Sequence, residues 1–133
     1  MGRIQHVTVT VPSKDMVAAA RDFYRMLGGV PLQRPPMLVA DTPGCWLGFG
    51  DTQVHVIVGE AEPGPGHFAM DAGTEYEQIV DRLTQAGIGR RDARRLWGAR
   101  RCFVRDPAGN LVELFERPPP SNPESSTGDS LRM

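Results

Sequence analysis

The sequence predicts an α+β chain in which one pattern, a strand, a helix and three strands, is laid down twice. Three observations predict it. Two segments with apolar residues at three- and four-residue steps each run into glycine, at Gly28-Gly29 and at Gly87. Each follows a short apolar run and precedes several more. The three histidines and one late glutamate fall at matching places in the two halves. His6 lies in the run 4–11, His55 in 53–58, His67 in 67–70 and Glu113 in 111–115. The two spacings are roughly 49 and roughly 46 positions, as a duplicated unit would give.

The first half begins with alternation. Val7, Val9 and Val11 share one face of a strand, and His6, Thr8 and Thr10 share the other. Pro12 and Ser13 end it, with Ser13 a candidate cap for a helix over 14–27. Val17, Ala20, Phe23, Tyr24 and Leu27 form that helix's apolar stripe. Residues 30–34 predict a short strand closed by Pro35-Pro36, and 37–40 a weaker one. Residues 45–50 and 53–58 predict a pair joined by a tight turn over 50–52.

Residues 59–66, rich in Gly, Pro and Glu, predict a linker. The order then repeats. A strand over 67–71 is followed by a helix ending at Gly87, striped by Tyr76, Ile79, Val80 and Leu83, with Thr74 and Glu77 spaced as a capping box. Residues 90–93 and 100–105 predict strands, 106–110 (Asp-Pro-Ala-Gly-Asn) a turn, and 111–115 the last strand. The expected organisation is a first module over 1–58, a linker over 59–66, a second module over 67–117 and a disordered tail over 118–133.

Composition narrows the function. A chain of 133 residues, 40% hydrophobic, can bury a real core. A net charge of −1 and no basic stripe beyond 90–101 argue against nucleic acid. No apolar run nears the roughly 20 residues of a membrane span. The N-terminus enters a strand pattern at once, which leaves no room for a signal peptide. Cys45 and Cys102, with no CxxC, suggest two unpaired thiols in a reducing, cytoplasmic setting.

Strand parity bears on the site. In all four strands the histidine or glutamate lies on the face away from its immediate apolar neighbours. A single histidine on a strand is more often a hydrogen-bonded partner than a ligand, and Glu113 alone could be a solvated carboxylate. Glu116, on the other parity, is the bland control. Three imidazoles and a carboxylate on polar faces are costly to bury unless a cation satisfies them, and they are ligand types for zinc, nickel, manganese or iron. The expectation is one divalent metal ion held by His6, His55, His67 and Glu113. Trp46 opposes Leu47 and Phe49, and Arg101 and Phe103 oppose Cys102 and Val104, so these three are candidate substrate-pocket residues. Arg101 could hold a substrate anion.

The residues at 6–11 (His-Val-Thr-Val-Thr-Val), 20–28 (Ala-Arg-Asp-Phe-Tyr-Arg-Met-Leu-Gly), 67–70 (His-Phe-Ala-Met) and above all 106–114 (Asp-Pro-Ala-Gly-Asn-Leu-Val-Glu-Leu) resemble the vicinal oxygen chelate superfamily. That group includes glyoxalase I, fosfomycin-resistance transferases, extradiol dioxygenases and bleomycin-resistance proteins. The resemblance covers about residues 4 to 117. It implies two βαβββ modules forming a half-open β-barrel around one cavity, with metal ligands on the first and fourth strands of each. Those positions are His6, His55, His67 and Glu113 here.

It also implies a small substrate chelated through vicinal oxygens, lyase or isomerase chemistry through an enolate, and Glu113 and His55 as catalytic groups. Glyoxalase I usually carries Glu or Gln at the position of His55, and no second cavity carboxylate is evident here. The extradiol dioxygenases hold iron with two His and one Glu, matching His6, His67 and Glu113, with His55 then an acid–base group. A non-enzymatic, bleomycin-resistance-like binder is the third reading, against which the full ligand set argues. Small members often dimerise, so a homodimer is expected.

Overall fold

The computed structural model describes residues 2–60 and 66–117. The expected tail, 118–133, lies outside them, as does most of the expected linker. The chain forms two compact units. Among the described residues, the first comprises 2–60, 66 and 105–111, and the second 67–104 and 112–117.

In the first unit β1 (His6–Val11) leads through a 3-10 turn, Lys14–Met16, into α1 (Val17–Met26). Three strands follow: β2 (Val30–Leu32), β3 (Gly44–Phe49) and β4 (Thr52–Val58). The sheet order is β1-β4-β3-β2. β1 and β4 are parallel, with Val7 beside Val54 and Val9 beside Val56. β3 is antiparallel to β4. Val9, Val11, Leu47, Val54 and Val56 from the sheet are buried, as are Ala20, Phe23, Tyr24 and Leu27 from the α1 segment. Alternation and the helical stripe therefore select the core as the sequence predicts.

Two expectations need correction here. Ser13 precedes the 3-10 turn in an extended conformation, but its side chain makes no capping hydrogen bond; only its carbonyl accepts, from the Met16 amide at 3.1 Å. Residues 37–40 are not a strand but lie in a short helix, α2 (Pro36–Asp41). Pro36 stands in the first helical turn, where its fixed φ favours helix and its missing N–H costs nothing. Arg34 completes the element by donating to the carbonyls of Leu38, Thr42 and Gly44.

The second unit repeats the order with β5 (His67–Asp71), a 3-10 turn over Gly73–Glu75, α3 (Tyr76–Gln85), β6 (Arg90–Leu96), β7 (Ala99–Arg105) and β8 (Leu111–Phe115). Its sheet order is β5-β8-β7-β6. Tyr76, Ile79 and Leu83 bury the face of α3, and Cys102, Val104, Val112 and Leu114 fill the sheet side. Both cysteines are free thiols.

The predicted capping box does not form. Thr74 lies inside the 3-10 turn, α3 begins after Glu75, and no side chain caps it. The Gly73 amide instead takes the Asp71 carboxylate at 2.9 Å. β6 also runs past 93 to Leu96, where Trp97 (φ 42) and Gly98 (φ 74) make a two-residue turn into β7. Left-handed φ at both positions matches the twist of the paired strands. An aromatic residue rarely stands there, so the sequence alone hides the turn.

The two long helices end alike. Gly28 (φ 106) and Gly87 (φ 76) take the left-handed conformation that glycine accepts without strain. Their amides donate to Arg25 and Thr84, and the next amides, of Gly29 and Ile88, reach back to Tyr24 and Leu83. This is the Schellman closure, and it satisfies carbonyls the helix leaves open.

Candidate metal centre

In the first unit the register sets His55 of β4 beside Thr8 of β1 and directly opposite Trp46 of β3. His6 faces Gln53, two residues before His55, so both imidazoles share the face turned from the valine core. Their rings form one column. Trp46 stacks on His55 with centroids 4.0 Å apart, and His55 stacks on His6 at 4.0 Å. His55 is buried in the middle of this column, while His6 is exposed.

Two glutamines fix the ring edges. Nε2 of His55 bonds the Gln53 side-chain oxygen at 2.7 Å, and Nδ1 of His6 bonds that of Gln5 at 2.7 Å. A carbonyl oxygen only accepts, so each of these nitrogens carries the proton. Nδ1 of His55 and Nε2 of His6 are left as the lone-pair ends. Burial, and then the neighbouring His6, push the His55 pKa below its ordinary value, which keeps that imidazole neutral near pH 7.

In the second unit β5, β8 and β7 are consecutive neighbours. Glu113, on β8, is buried with its side chain 8% exposed. Its Oε1 lies 3.1 Å from Nε2 of His67, and its Oε2 accepts from Nη1 of Arg101 at 2.9 Å. Arg101 also donates through Nε to the Arg94 carbonyl at 2.9 Å. Phe103 meets the His67 ring edge-on at 5.2 Å. Glu116, on the opposite parity, pairs with Arg100 at 3.0 Å.

Each sheet thus brings together one pair of the expected ligands, His6 with His55 and His67 with Glu113. Among the described residues, no three or more His, Cys, Asp or Glu side chains are grouped as a metal-binding cluster. Imidazole and carboxylate are metal-ligand types, and the His67–Glu113 pair also has a ligand spacing, whereas the near-parallel His6–His55 stack does not direct two nitrogens at one point. Two ligands at about 2.1 Å from one ion, at roughly tetrahedral or octahedral angles, stand about 3.0–3.4 Å apart. The 3.1 Å between His67 and Glu113 has that size. Arg101 holds the other carboxylate oxygen and so limits how the Glu113 side chain can turn.

Residue type and parity point to Arg101 and Trp46 but not to what they hold. Arg101 is engaged by Glu113, and Trp46 by His55. Gln5, Gln53 and the Arg94 carbonyl went unnamed. Gln53 carried a usable signal, since it lies two positions before His55 on the same face. A cleft of about 270 Å³ in the second unit has Tyr76, Glu77, Arg90, Asp92, Arg100 and Arg101 in its lining. Three of its four arginines have carboxylate partners: Arg90 pairs with Asp92, Arg100 with Glu77 and Glu116, and Arg101 with Glu113.

Residues 3–114 match the sequence pattern of the Glyoxalase/Bleomycin resistance protein/Dioxygenase superfamily. The chain belongs to this superfamily. A search of curated proteins finds no match. Among solved structures, a glyoxalase family protein from Bacillus anthracis is similar at 27% identity and a TM-score of 0.78, over 89% of this chain and 97% of that one. A lactoylglutathione lyase from Agrobacterium tumefaciens shares 22% identity and a TM-score of 0.65, over 86% and 93%. A variant of the fosfomycin resistance protein FosX from Listeria monocytogenes, complexed with Mn(II) and 1S,2S-dihydroxypropylphosphonic acid, shares 14% identity and a TM-score of 0.69, over 89% and 94%. These likenesses establish the superfamily's fold of repeated strand-helix-three-strand modules, and one protein with that fold takes Mn(II) and a small organic acid.

Proposed function

We propose that this superfamily member is a metal-dependent enzyme of the glyoxalase type, acting on a small substrate that presents two adjacent oxygens. His6, His55, His67 and Glu113 are the proposed ligands of one divalent ion. The observation that carries the reading is the buried Glu113, placed between His67 and Arg101 on the sheet face turned from the core. A bound ion would supply Lewis acidity to the substrate oxygens and acidify a C–H beside a carbonyl.

The chain's own groups handle the proton. Glu113 is the proposed base, a role it would take on partial release from the ion, with Arg101 holding Oε2 and Oε1 lying 3.1 Å from His67. His55, kept neutral by burial, is the second acid–base candidate. Trp46 and Phe103 supply flat apolar surface beside these groups.

One observation favours a second reading, an Fe(II)-dependent extradiol-type dioxygenase with His6, His67 and Glu113 as ligands. His55 is clamped between two rings with Nε2 tied to Gln53, as suits a held acid–base group. Elemental analysis of protein expressed with added metals separates the readings. Zinc, nickel or manganese at about one per chain supports the first, and iron the second. Protein that takes none, even when they are added back, overturns both and leaves a binding role.

A homodimer is part of the proposal. Val30, Leu32, Met37, Leu38 and Val39 are exposed on the edge strand β2 and the adjoining α2, an apolar surface suited to a second copy of this chain.

A further inference from the structure

Half of the chain's arginines fall between Arg90 and Arg105, and the edge strand β6 carries four of them. Register sorts these side chains. Arg90 and Asp92 lie opposite Val104 and Cys102, on the core-facing parity of β7. Arg91 lies opposite Phe103 and Ala93 opposite Arg101, on the parity that carries the contacts to His67 and Glu113.

Three arginines on the strands around Arg91 have carboxylate partners. Arg90 pairs with Asp92 at 3.0 Å, Arg100 with Glu116 at 3.0 Å, and Arg101 with Glu113 at 2.9 Å. Among the described residues Arg91 has no ion pair. Its guanidinium lies 4.7 Å above the centre of the Phe103 ring, and the same ring meets His67. A cation stacked on an aromatic face keeps its N–H edge free and loses little freedom when that edge meets an anion. The Phe103 ring therefore positions a charged fork two ring contacts from the His67–Glu113 pair. Glu113 is already neutralised by Arg101, so no described carboxylate on this face answers the Arg91 charge.

We propose that Arg91 is a specificity-determining residue that anchors a second anionic group, a carboxylate or phosphate, on the substrate. The substrate class is then a small acid carrying one anionic group beside its vicinal oxygens and another a few bonds away. The inference rests on the reading that this sheet face receives substrate, and deepens it by naming the charge that substrate carries.

Malate and lactate provide the test. Both are 2-hydroxy acids with the same pair of vicinal oxygens, and malate adds a carboxylate. Binding of each is measured by calorimetry on the full chain loaded with Mn(II), for wild type, Arg91→Ala and Arg91→Lys, with the Mn(II) content of each measured alongside. Wild type should bind malate at least about tenfold more tightly than lactate, the size expected of one charge-assisted contact. Arg91→Ala should lose that preference with unchanged metal content, and Arg91→Lys should keep part of it. A wild type that does not prefer malate, or an Arg91→Ala protein that keeps the preference, overturns the anchor. Protein that takes no Mn(II) but prefers malate through Arg91 sinks the metal-enzyme reading and leaves the anchor standing.

Discussion

The Tyr24 hydroxyl donates to Oδ2 of Asp106 at 2.7 Å, across 82 positions of sequence, and both residues are buried. Burial and the Asp106 charge push the Tyr24 pKa far up, so the hydroxyl keeps its proton and remains a donor. Asp106 is also the hub of the 106–110 turn. Its Oδ1 accepts from the amides of Ala108 and Asn110, and its Oδ2 from the Asn110 side chain. That side chain reaches on to the Thr10 carbonyl at 3.0 Å. The most specific stretch of the sequence is thus also a structural pin of the first unit.

Asp106→Ala should destabilise the protein clearly more than Tyr24→Phe. The tyrosine change removes one donor and leaves Oδ2 satisfied by Asn110, at a cost of about 1 kcal/mol. The aspartate change strips acceptors from two amides and two side chains, at roughly 2–4 kcal/mol. Urea unfolding of both variants decides, and equal midpoints would contradict the hub.

Removing either member of the His67–Glu113 pair should abolish metal binding. His67→Ala should leave folding nearly unchanged, because His67 is an exposed residue of β5. Glu113→Ala should also cost stability, since it strands the Arg101 guanidinium, 17% exposed, without its partner. Glu113→Gln preserves shape and separates the two effects. A Glu113→Ala protein that binds metal as tightly as wild type would exclude Glu113 as a ligand.

His55 should coordinate through Nδ1, because Gln53 occupies Nε2. A metal-loaded crystal structure should show that nitrogen at roughly 2.0–2.2 Å from the ion. A separation well beyond about 3 Å would move the function toward the three-ligand iron class.

Acid should weaken the fold partly through Glu116. The Arg100 amide and guanidinium hold its pKa below the ordinary 4.5. A carboxylate with a depressed folded pKa adds stability above its unfolded value, and loses it as pH falls through the folded one. Stability should therefore drop below about pH 4.5, and Glu116→Gln should flatten part of that drop. Identical pH profiles for the two proteins would contradict the pairing.

Leu38→Asp with Met37→Asp should yield a monomer by light scattering while wild type is dimeric. Dimers that survive both changes would move the interface elsewhere.

Period and punctuation carried most of the fold. Both glycine stops, both helical stripes and all eight strands could be read from residue type, because each expresses local backbone physics or a buried face. Misreadings came where one local rule competed with another. Pro36 turns a weakly apolar run into helix instead of strand, and the 3-10 turn over Gly73–Glu75 takes Thr74 out of capping position. At the candidate site, parity was legible and partners were not. Which cation meets Glu113, or which ring covers His55, depends on strand register, and register is set by neighbours far away in sequence.

The Trp46–His55 stack gives the protein an optical reporter. An indole lying face to face with an imidazole at 4.0 Å and 3° will change its emission when that imidazole gains a proton or is drawn away by a ligand. Trp97, the other indole, lies against Phe115 in a different unit and supplies a steady background. Fluorescence of the unlabelled chain can therefore follow what happens at His55 in real time, and a Trp97→Phe variant would leave that signal alone in the spectrum.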